Sequence, residues 1–416
     1  MKKYKLSELI EIKNGKDHKD LPNGKYPVFG SGGIMRYVNS YLYDKPSVLL
    51  PRKGTLSNIQ YCDTPFWTVD TLYYTEVNEE LVSPYYLYRY LRLLDMSRLD
   101  TGTGVPSMTF DSYNNIEVFL PNIEGQRRVA SILQKLDAKI ALNRRINDNL
   151  EAMAKQLYDY WFVQFDFPNE EGKPYKSSGG EMVWNERLKR EIPNGWSDTN
   201  VMSLINPIER GISYSSEDLL DPTSMPMVNL ACFSKAGDYR LGEMKFFSGN
   251  VAEQKLIHPM DMLIACTDMT QGADIIGRPI LVSNEYEEYT FSTDLALVVP
   301  NGKQKMYLYY SLRTPYYHTY IRPFASGTTV KHLNIKGVEN YVLPLPTNEI
   351  QSKFEDIILP IKKKQSKNLN EIVALTKQRD ELLPLLMNGQ ATVNYHLYLH
   401  THTTKKSCLQ AFADSS

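Results

Sequence analysis

Residues 124–165, EGQRRVASILQKLDAKIALNRRINDNLEAMAKQLYDYWFVQF, decide the fold. Leu133, Leu136, Ile140, Asn143, Asn147, Leu150, Ala154, Leu157 and Trp161 recur at alternating steps of three and four. That spacing predicts a heptad seam along one long helix. After Gly125 neither Pro nor Gly interrupts it, and about 40 residues at 1.5 Å rise give a rod of roughly 60 Å. Such a helix buries its stripe only against a partner. The partner lies in the same chain. Adding 225 to each position gives Ile358, Ile361, Gln365, Asn368, Ile372, Leu375, Arg379, Leu382 and Leu386.

The same offset holds upstream. Gly102-Thr103 matches Gly327-Thr328, Val105 matches Val330, and Leu120-Pro121 matches Leu345-Pro346. Glu124-x-Gln126 likewise matches Glu349-x-Gln351. An ungapped match of this length indicates an internal duplication: globular unit, long helix, globular unit, long helix. The expected fold is α+β, two α/β domains separated by two long helices packed as an antiparallel coiled coil, with a pseudo-two-fold internal repeat. The expected segments are 1–122 and 196–346 for the domains and 123–166 and 347–390 for the helices. Residues 167–195 read as a linker and 391–416 as a disordered tail.

Short β-type runs mark the first domain at Tyr26–Phe29, Ser47–Leu50, Phe66–Val69 and Ile116–Leu120, with a helix from Pro84 to Leu94. In the second, Met225–Leu230, Met262–Ala265, Ile280–Ser283 and Leu295–Val299 read as strands and Met306–Arg313 as a helix. The linker PNEEGKPYKSSGGEM is polar and rich in Gly and Pro, and Trp184 with IPNGW (192–196) reads as the docking point into the second domain. Pro360 should kink or split the second helix, and Pro384 should end it. Asn143 and Asn368 hold equivalent seam positions, with Asn147 and Gln365 one step away. In an antiparallel pair these would meet near the middle and fix the register at a cost in stability.

A 42% hydrophobic, 23% charged chain of 416 residues has the composition of an ordinary globular protein with room for two or three cores. Cys62, Cys232, Cys266 and Cys408 form no CxxC pair and suggest no disulfide framework. Neither an apolar leader nor a run of membrane-spanning length is present, so the expected location is cytoplasmic, with no membrane partner. The net charge is −1, and residues 1–122 hold 14 Lys and Arg against 14 Asp and Glu. A nucleic-acid reading therefore requires charge gathered on one face or supplied by a partner.

Three loops of the first domain, PVFGSGG, LPRKGT and DTGTGVPSM, combine Gly with hydrogen-bond donors. Arg36, Lys45, Arg52, Lys53, Thr103 and Ser107 are the candidate DNA contacts there. Arg210, Lys235, Gln271, Arg278, Thr328, Lys331 and His332 are their counterparts in the second domain. Arg reads guanine, Gln reads adenine, and Lys, Thr and backbone N–H groups hold phosphate. Any one of them taken alone reads first as a solvated loop side chain; the set carries the signal.

Catalytic motifs are poor. TGTGVP lacks the third Gly and the following helix of a dinucleotide fingerprint, and its repeat partner SGTTVK keeps one Gly. Asn206-Pro207-Ile208 is not the Asn-Pro-Pro-aromatic motif of adenine methyltransferases, and no GxxxxGK[ST] is present. Asp238, Glu243 and Lys245 follow the order of a Mg²⁺ nuclease site, a pattern common by chance. His396, His400 and His402 sit in the tail. No metal site and no catalytic residue are assigned. The alternative is a self-contained DNA nuclease or methyltransferase with a cryptic site, and a third reading is a protein scaffold without DNA.

LEAMAKQLYDYWFVQFDF (150–167), the Gly-rich segment with IPNGW, RDELLPLLMNGQ (379–390) and the Leu-Pro…Glu-x-Gln turn into each helix resemble the specificity subunit of type I restriction-modification enzymes. The resemblance covers nearly all of residues 1–390 and is strongest in the helices. It implies that each domain recognises one half of a split double-stranded DNA target. It also implies that the helices set the unread spacer and dock two modification subunits, with two restriction subunits completing the complex. S-adenosylmethionine, ATP and Mg²⁺ would then belong to the partner subunits, with no cofactor on this chain. The tail beyond Gln390 departs from the family's usual ending.

Overall fold

The computed structural model describes residues 1–96, 106–219, 221, 223–234 and 238–390. They form two compact units. The first holds Met1–Lys139 together with the chain from Thr376 onward, and the second holds Ile140–Leu375. The two long helices, Ile123–Tyr158 and Asn348–Met387, each contribute to both units.

Within each unit the helix segments pair in opposite directions. In the first, Val129, Ala130 and Leu133 share a core with Leu383, Leu386 and Met387. In the second, Asn143 Nδ2 donates to Glu371 Oε2 (2.9 Å), Asn368 Nδ2 to Asn147 Oδ1 (2.8 Å) and Asn147 Nδ2 to the Gln365 carbonyl (3.0 Å). Ascending numbers on one helix meet descending numbers on the other. Leu133, Ile140, Asn143, Ile358, Asn368 and Ile372 are buried, and Leu136, Leu150, Leu157, Ile361, Leu375 and Leu382 are half-buried. Asn147, Gln365 and Asn368 meet as expected, and Asn143 bonds Glu371 rather than Asn368.

Two further expectations change. The first helix does not continue to Phe165: from Asp159 to Val163 it widens into a π-turn, and Gln164 N bonds to the Asp159 carbonyl (2.9 Å). Widening by one residue turns Trp161, Phe162 and Phe165 together into the core, where Phe162 packs on Tyr307 and Phe354. The second helix runs unbroken through Pro360 and past Pro384. Pro360 and Asp356, whose carbonyl loses its bond, are both exposed, so water can satisfy that carbonyl. The helix ends before Gly389, which adopts φ +71°.

The globular parts repeat one topology. A four-stranded sheet in the order Ile10–Lys13, Leu72–Val77, Ser47–Pro51, Gln60–Cys62 has its counterpart in Glu209–Arg210, Leu295–Val298, Met262–Ala265, Pro279–Leu281. A three-stranded sheet with one parallel pair, Gly33–Val38, Asn23–Gly30, Trp67–Thr68, is matched by Lys245–Phe247, Met225–Val228, Thr290–Phe291. Lys2–Lys5 pairs with Glu117–Leu120, and Ser197–Asn200 with Val342–Leu345. Close backbone contacts repeat as well. A Cβ on Gly15 would meet the Val69 carbonyl oxygen at 2.1 Å, and one on Gly211 the Ser292 oxygen at 2.2 Å, so both positions require glycine.

The Glu-x-Gln turn now has a physical reason. Gln126 Nε2 donates to the Pro121 carbonyl (3.0 Å), and Gln351 Nε2 to the Pro346 carbonyl (2.6 Å). Both glutamines are buried and bind the end of the last strand to the start of the helix. The Gly- and Pro-rich segment 167–195 is folded. Asp166 accepts from Ser177 N and Oγ (2.7 and 2.6 Å), and Met182–Asn185 pairs with Arg190–Pro193. Trp196 is buried among Phe162, Phe165 and Phe167, whereas Trp184 is exposed.

Each unit fastens its helices with a half-buried ionic knot. Asp137 takes Arg89 from the helix Pro84–Leu91 and Arg379 (2.9 Å) from the second long helix. Glu151 takes Lys362 from that same helix and Arg313 at 3.8 Å. Burial opposes ionisation of Glu151, but Lys362 and Arg313 outweigh it and hold its carboxyl below the ordinary 4.5. A depressed carboxylate stabilises the fold above that ordinary value and loses its contribution as pH falls through the folded-state value. Lys362→Met removes the nearer cation while Glu151 stays 27% exposed, so about 1–3 kcal/mol of stability is lost at pH 7. Urea denaturation from pH 7 to 3 should show the wild type losing its advantage over this variant below about pH 4.5.

Candidate nucleic-acid interface

Two glycine loops and the segment Pro106–Met108 meet in the first unit. The turn after Asn23–Gly30 is held by Asn58 Nδ2 on the Ser31 carbonyl (2.6 Å) and Gln60 Nε2 on the Gly30 carbonyl (2.8 Å). Gly54 lies against Ser31, 3.4 Å from a Cβ position to Ser31 Oγ. Pro106 to Met108 then folds back on the end of the central strand: Met108 N bonds the Arg52 carbonyl (3.0 Å), Gly54 N bonds the Pro106 carbonyl (2.9 Å), and Lys53 pairs with Ser107. Arg52, Lys53 and Ser107 thus share one rim.

The second unit closes its central strand with the same bond. Leu333 N donates to the Cys266 carbonyl (2.9 Å), and Thr267 pairs with His332. Met108 and Leu333, like Ser107 and His332, stand 225 residues apart. The pairing extends there to Asp268 with Lys331 and adds Ala325–Ser326 as a third strand. Thr328 occupies the exposed hairpin tip. Lys331 Nζ caps the Gly327 carbonyl (2.6 Å), and His332 is exposed. Gln271 is exposed on the loop that leaves Asp268. Gln271, Thr328, Lys331 and His332 therefore belong to the counterpart rim.

Other candidates lie elsewhere. Lys45 precedes the strand Ser47–Pro51, at the opposite end from Arg52. Arg36 is engaged in its own hairpin, donating Nη2 to the Leu21 carbonyl (2.7 Å) and Asn23 Oδ1 (3.0 Å). Arg210 donates to the Thr293 carbonyl. Arg278 is half-buried, and burial, with Arg313 beside it, lowers its pKa. Thr103 and Lys235 lie outside the described residues, as do His396, His400, His402, Cys408 and the whole segment 391–416.

The Asp238, Glu243 and Lys245 set is dispersed among other partners. Asp238 pairs with Arg313, Glu243 with Arg240 (2.6 Å), and Lys245 donates to Tyr214 Oη (2.9 Å). Among the described residues no group of three His, Cys, Asp or Glu side chains is placed to hold a metal ion. No helix among them is long and apolar enough to cross a membrane. Sequence reading overlooked Asp268 and Met269. Asp268 is 1% exposed and accepts from Thr270 N and Ile275 N, both at 2.7 Å. An Asp followed two residues later by Thr is a signal for such a turn, but a common one.

Residues 1–152 match the family described as type I restriction modification DNA specificity domain. The chain as a whole is 23% identical over 393 residues to the type I restriction enzyme MjaIX specificity subunit of Methanocaldococcus jannaschii, covering 90% of this chain and 86% of that protein. It is 25% identical over 367 residues to the HindI specificity subunit of Haemophilus influenzae, covering 76% and 79%. Its fold is that of the type I restriction-modification S subunit from M. genitalium, with a TM-score of 0.63, 18% identity and 92% and 95% coverage.

Asp268→Ala leaves the Ile275 and Thr270 N–H groups without their acceptor. The expected cost is about 1–3 kcal/mol for the buried Ile275 donor, read as a lowered urea midpoint. An unchanged midpoint would show that the loop is not held by this carboxylate.

Proposed function

We propose that this chain is the DNA sequence-specificity subunit of a type I restriction-modification complex, each unit recognising one half of a bipartite target. The observation that carries the reading is the repeated rim: one backbone pairing, Lys53 with Ser107 and Thr267 with His332, presents different polar side chains on a common scaffold. A constant frame with changed loops suits two similar readers of different sequences. Base edges are read by Arg, Gln and Asn, and Lys, Thr and backbone amides hold phosphate. Similarity to proteins named specificity subunits over most of both lengths supports the same role.

The finer assignments follow from that role. The paired helices set the spacer and dock two modification subunits, and two restriction subunits complete the complex. S-adenosylmethionine, ATP and Mg²⁺ are held by those partners. A chain of net charge −1 neutralises few phosphates, so the modification subunits supply much of the backbone contact.

In a mobility-shift assay the chain alone should bind DNA weakly, and adding modification subunits should give tight, sequence-specific, strongly salt-dependent binding. Equal sequence-specific affinity without partners would overturn the assignment. One heptad inserted at matching points of both helices adds about 10 Å, or roughly three base pairs. The spacer in the modified motif should lengthen accordingly or modification should cease; an unaltered spacer rules out the ruler.

A further inference from the structure

We infer that Met269 and Gln271 are the residues with which the second unit tests for an A·T pair in its half of the target. This rests on the reading of the chain as a DNA specificity subunit and adds the kind of base that one loop selects. Met269 is 73% exposed, the most exposed large hydrophobic side chain among the described residues. Its backbone is nevertheless held on both sides. Before it, Asp268 is paired with Lys331 in the three-stranded sheet. After it, the Asp268 carboxylate closes the loop onto Thr270 N and Ile275 N, and Thr270 Oγ1 accepts from Asp274 N (3.0 Å).

A thioether held out in water by a closed loop gains nothing from burial in the free chain. It is placed instead for an apolar contact with whatever meets the rim. Gln271, exposed two residues on, supplies an amide. In the major groove only an A·T pair offers both an adenine edge that an amide grips through N6 and N7 and a thymine methyl for an apolar side chain. Lys331, His332 and Thr328 on the adjoining hairpin are the polar groups for the flanking phosphates.

The duplicated pairing also says what stands there in the first unit. Lys53 corresponds to Thr267, so Thr55 falls at the place of Met269 and Ser57 at that of Gln271. Both are exposed, and both carry a hydroxyl rather than a thioether or an amide. The two loops therefore select different bases, and the target is asymmetric.

The test uses the full chain assembled with its modification subunits, S-adenosylmethionine and a randomised DNA library, with modified adenines mapped by sequencing. Met269→Ala/Gln271→Ala should lose roughly tenfold or more of the preference for A·T at one position of one half-site. The other half-site and the melting temperature should stay as in the wild type. Thr55→Ala/Ser57→Ala should instead alter the opposite half-site. A wild-type motif retained by the first variant overturns the inference and leaves the specificity role standing. So does a uniform fall in modification with all base preferences kept, which would mean that the loop only positions the DNA. A wild-type complex with no sequence preference overturns both.

Discussion

An apolar stripe on a helix of 36 or 40 residues cannot stay in water, and everything else in this chain accommodates that constraint. Each stripe is covered twice, by the other helix and by the sheets of a globular unit, so seam and core are continuous. Leu133 and Leu386 share one cluster with Leu87 and Leu91, and Phe354 and Ile358 share another with Tyr307 and Leu308. The polar seam adds direction. Glu371, Asn368 and Gln365 find Asn143 and Asn147 only when the chains run opposite ways, and a shift of one step would strand buried amides. Asp137 then binds both long helices to the short helix Pro84–Leu91, and Glu151 binds them to Arg313, just past the helix Lys305–Ser311.

What is held constant between the units is backbone, and what differs is side chain. The glutamine at the helix entry, the glycine beneath the parallel strand pair and the hydrogen bond closing the central strand occur in both. None of these would be felt by DNA. The side chains they present are another matter: Arg52, Lys53 and Thr55 on one rim, Met269, Gln271 and Lys331 on the other. Such a frame can change its target by loop substitution while its hydrogen-bond accounting stays closed.

The helical half of the fold was legible because a seam is a periodic signal and the duplication repeats it in register. Most core strands were legible too, since runs such as Met262–Ala265 are continuously apolar and buried. Lys2–Lys5 and Gly33–Val38 were not; their pairing partners lie far away or across a glycine turn, and their composition is polar or mixed. The π-turn at Asp159–Val163 was hidden because Trp161 also continues the heptad. Pro360 misled because the rule against proline assumes that the freed carbonyl is buried, and here Asp356 and Pro360 are both exposed. At the rims, residue type alone could not separate Lys53, which stands on the rim with Ser107, from Arg36, whose guanidinium is engaged within its own hairpin.

The amino-acid sequence by itself determined that this chain is a duplicated pair of α/β units with two long helices, since periodicity and a constant offset are properties of order along the chain. Only the tertiary structure decided which loops form a rim and which exposed side chains stand on it. Those loops are brought together by backbone hydrogen bonds between residues far apart in the chain, 56 positions for Met108 to Arg52 and 67 for Leu333 to Cys266. A backbone amide bonds alike whatever side chain it carries, so the sequence leaves no mark of where such a bond closes.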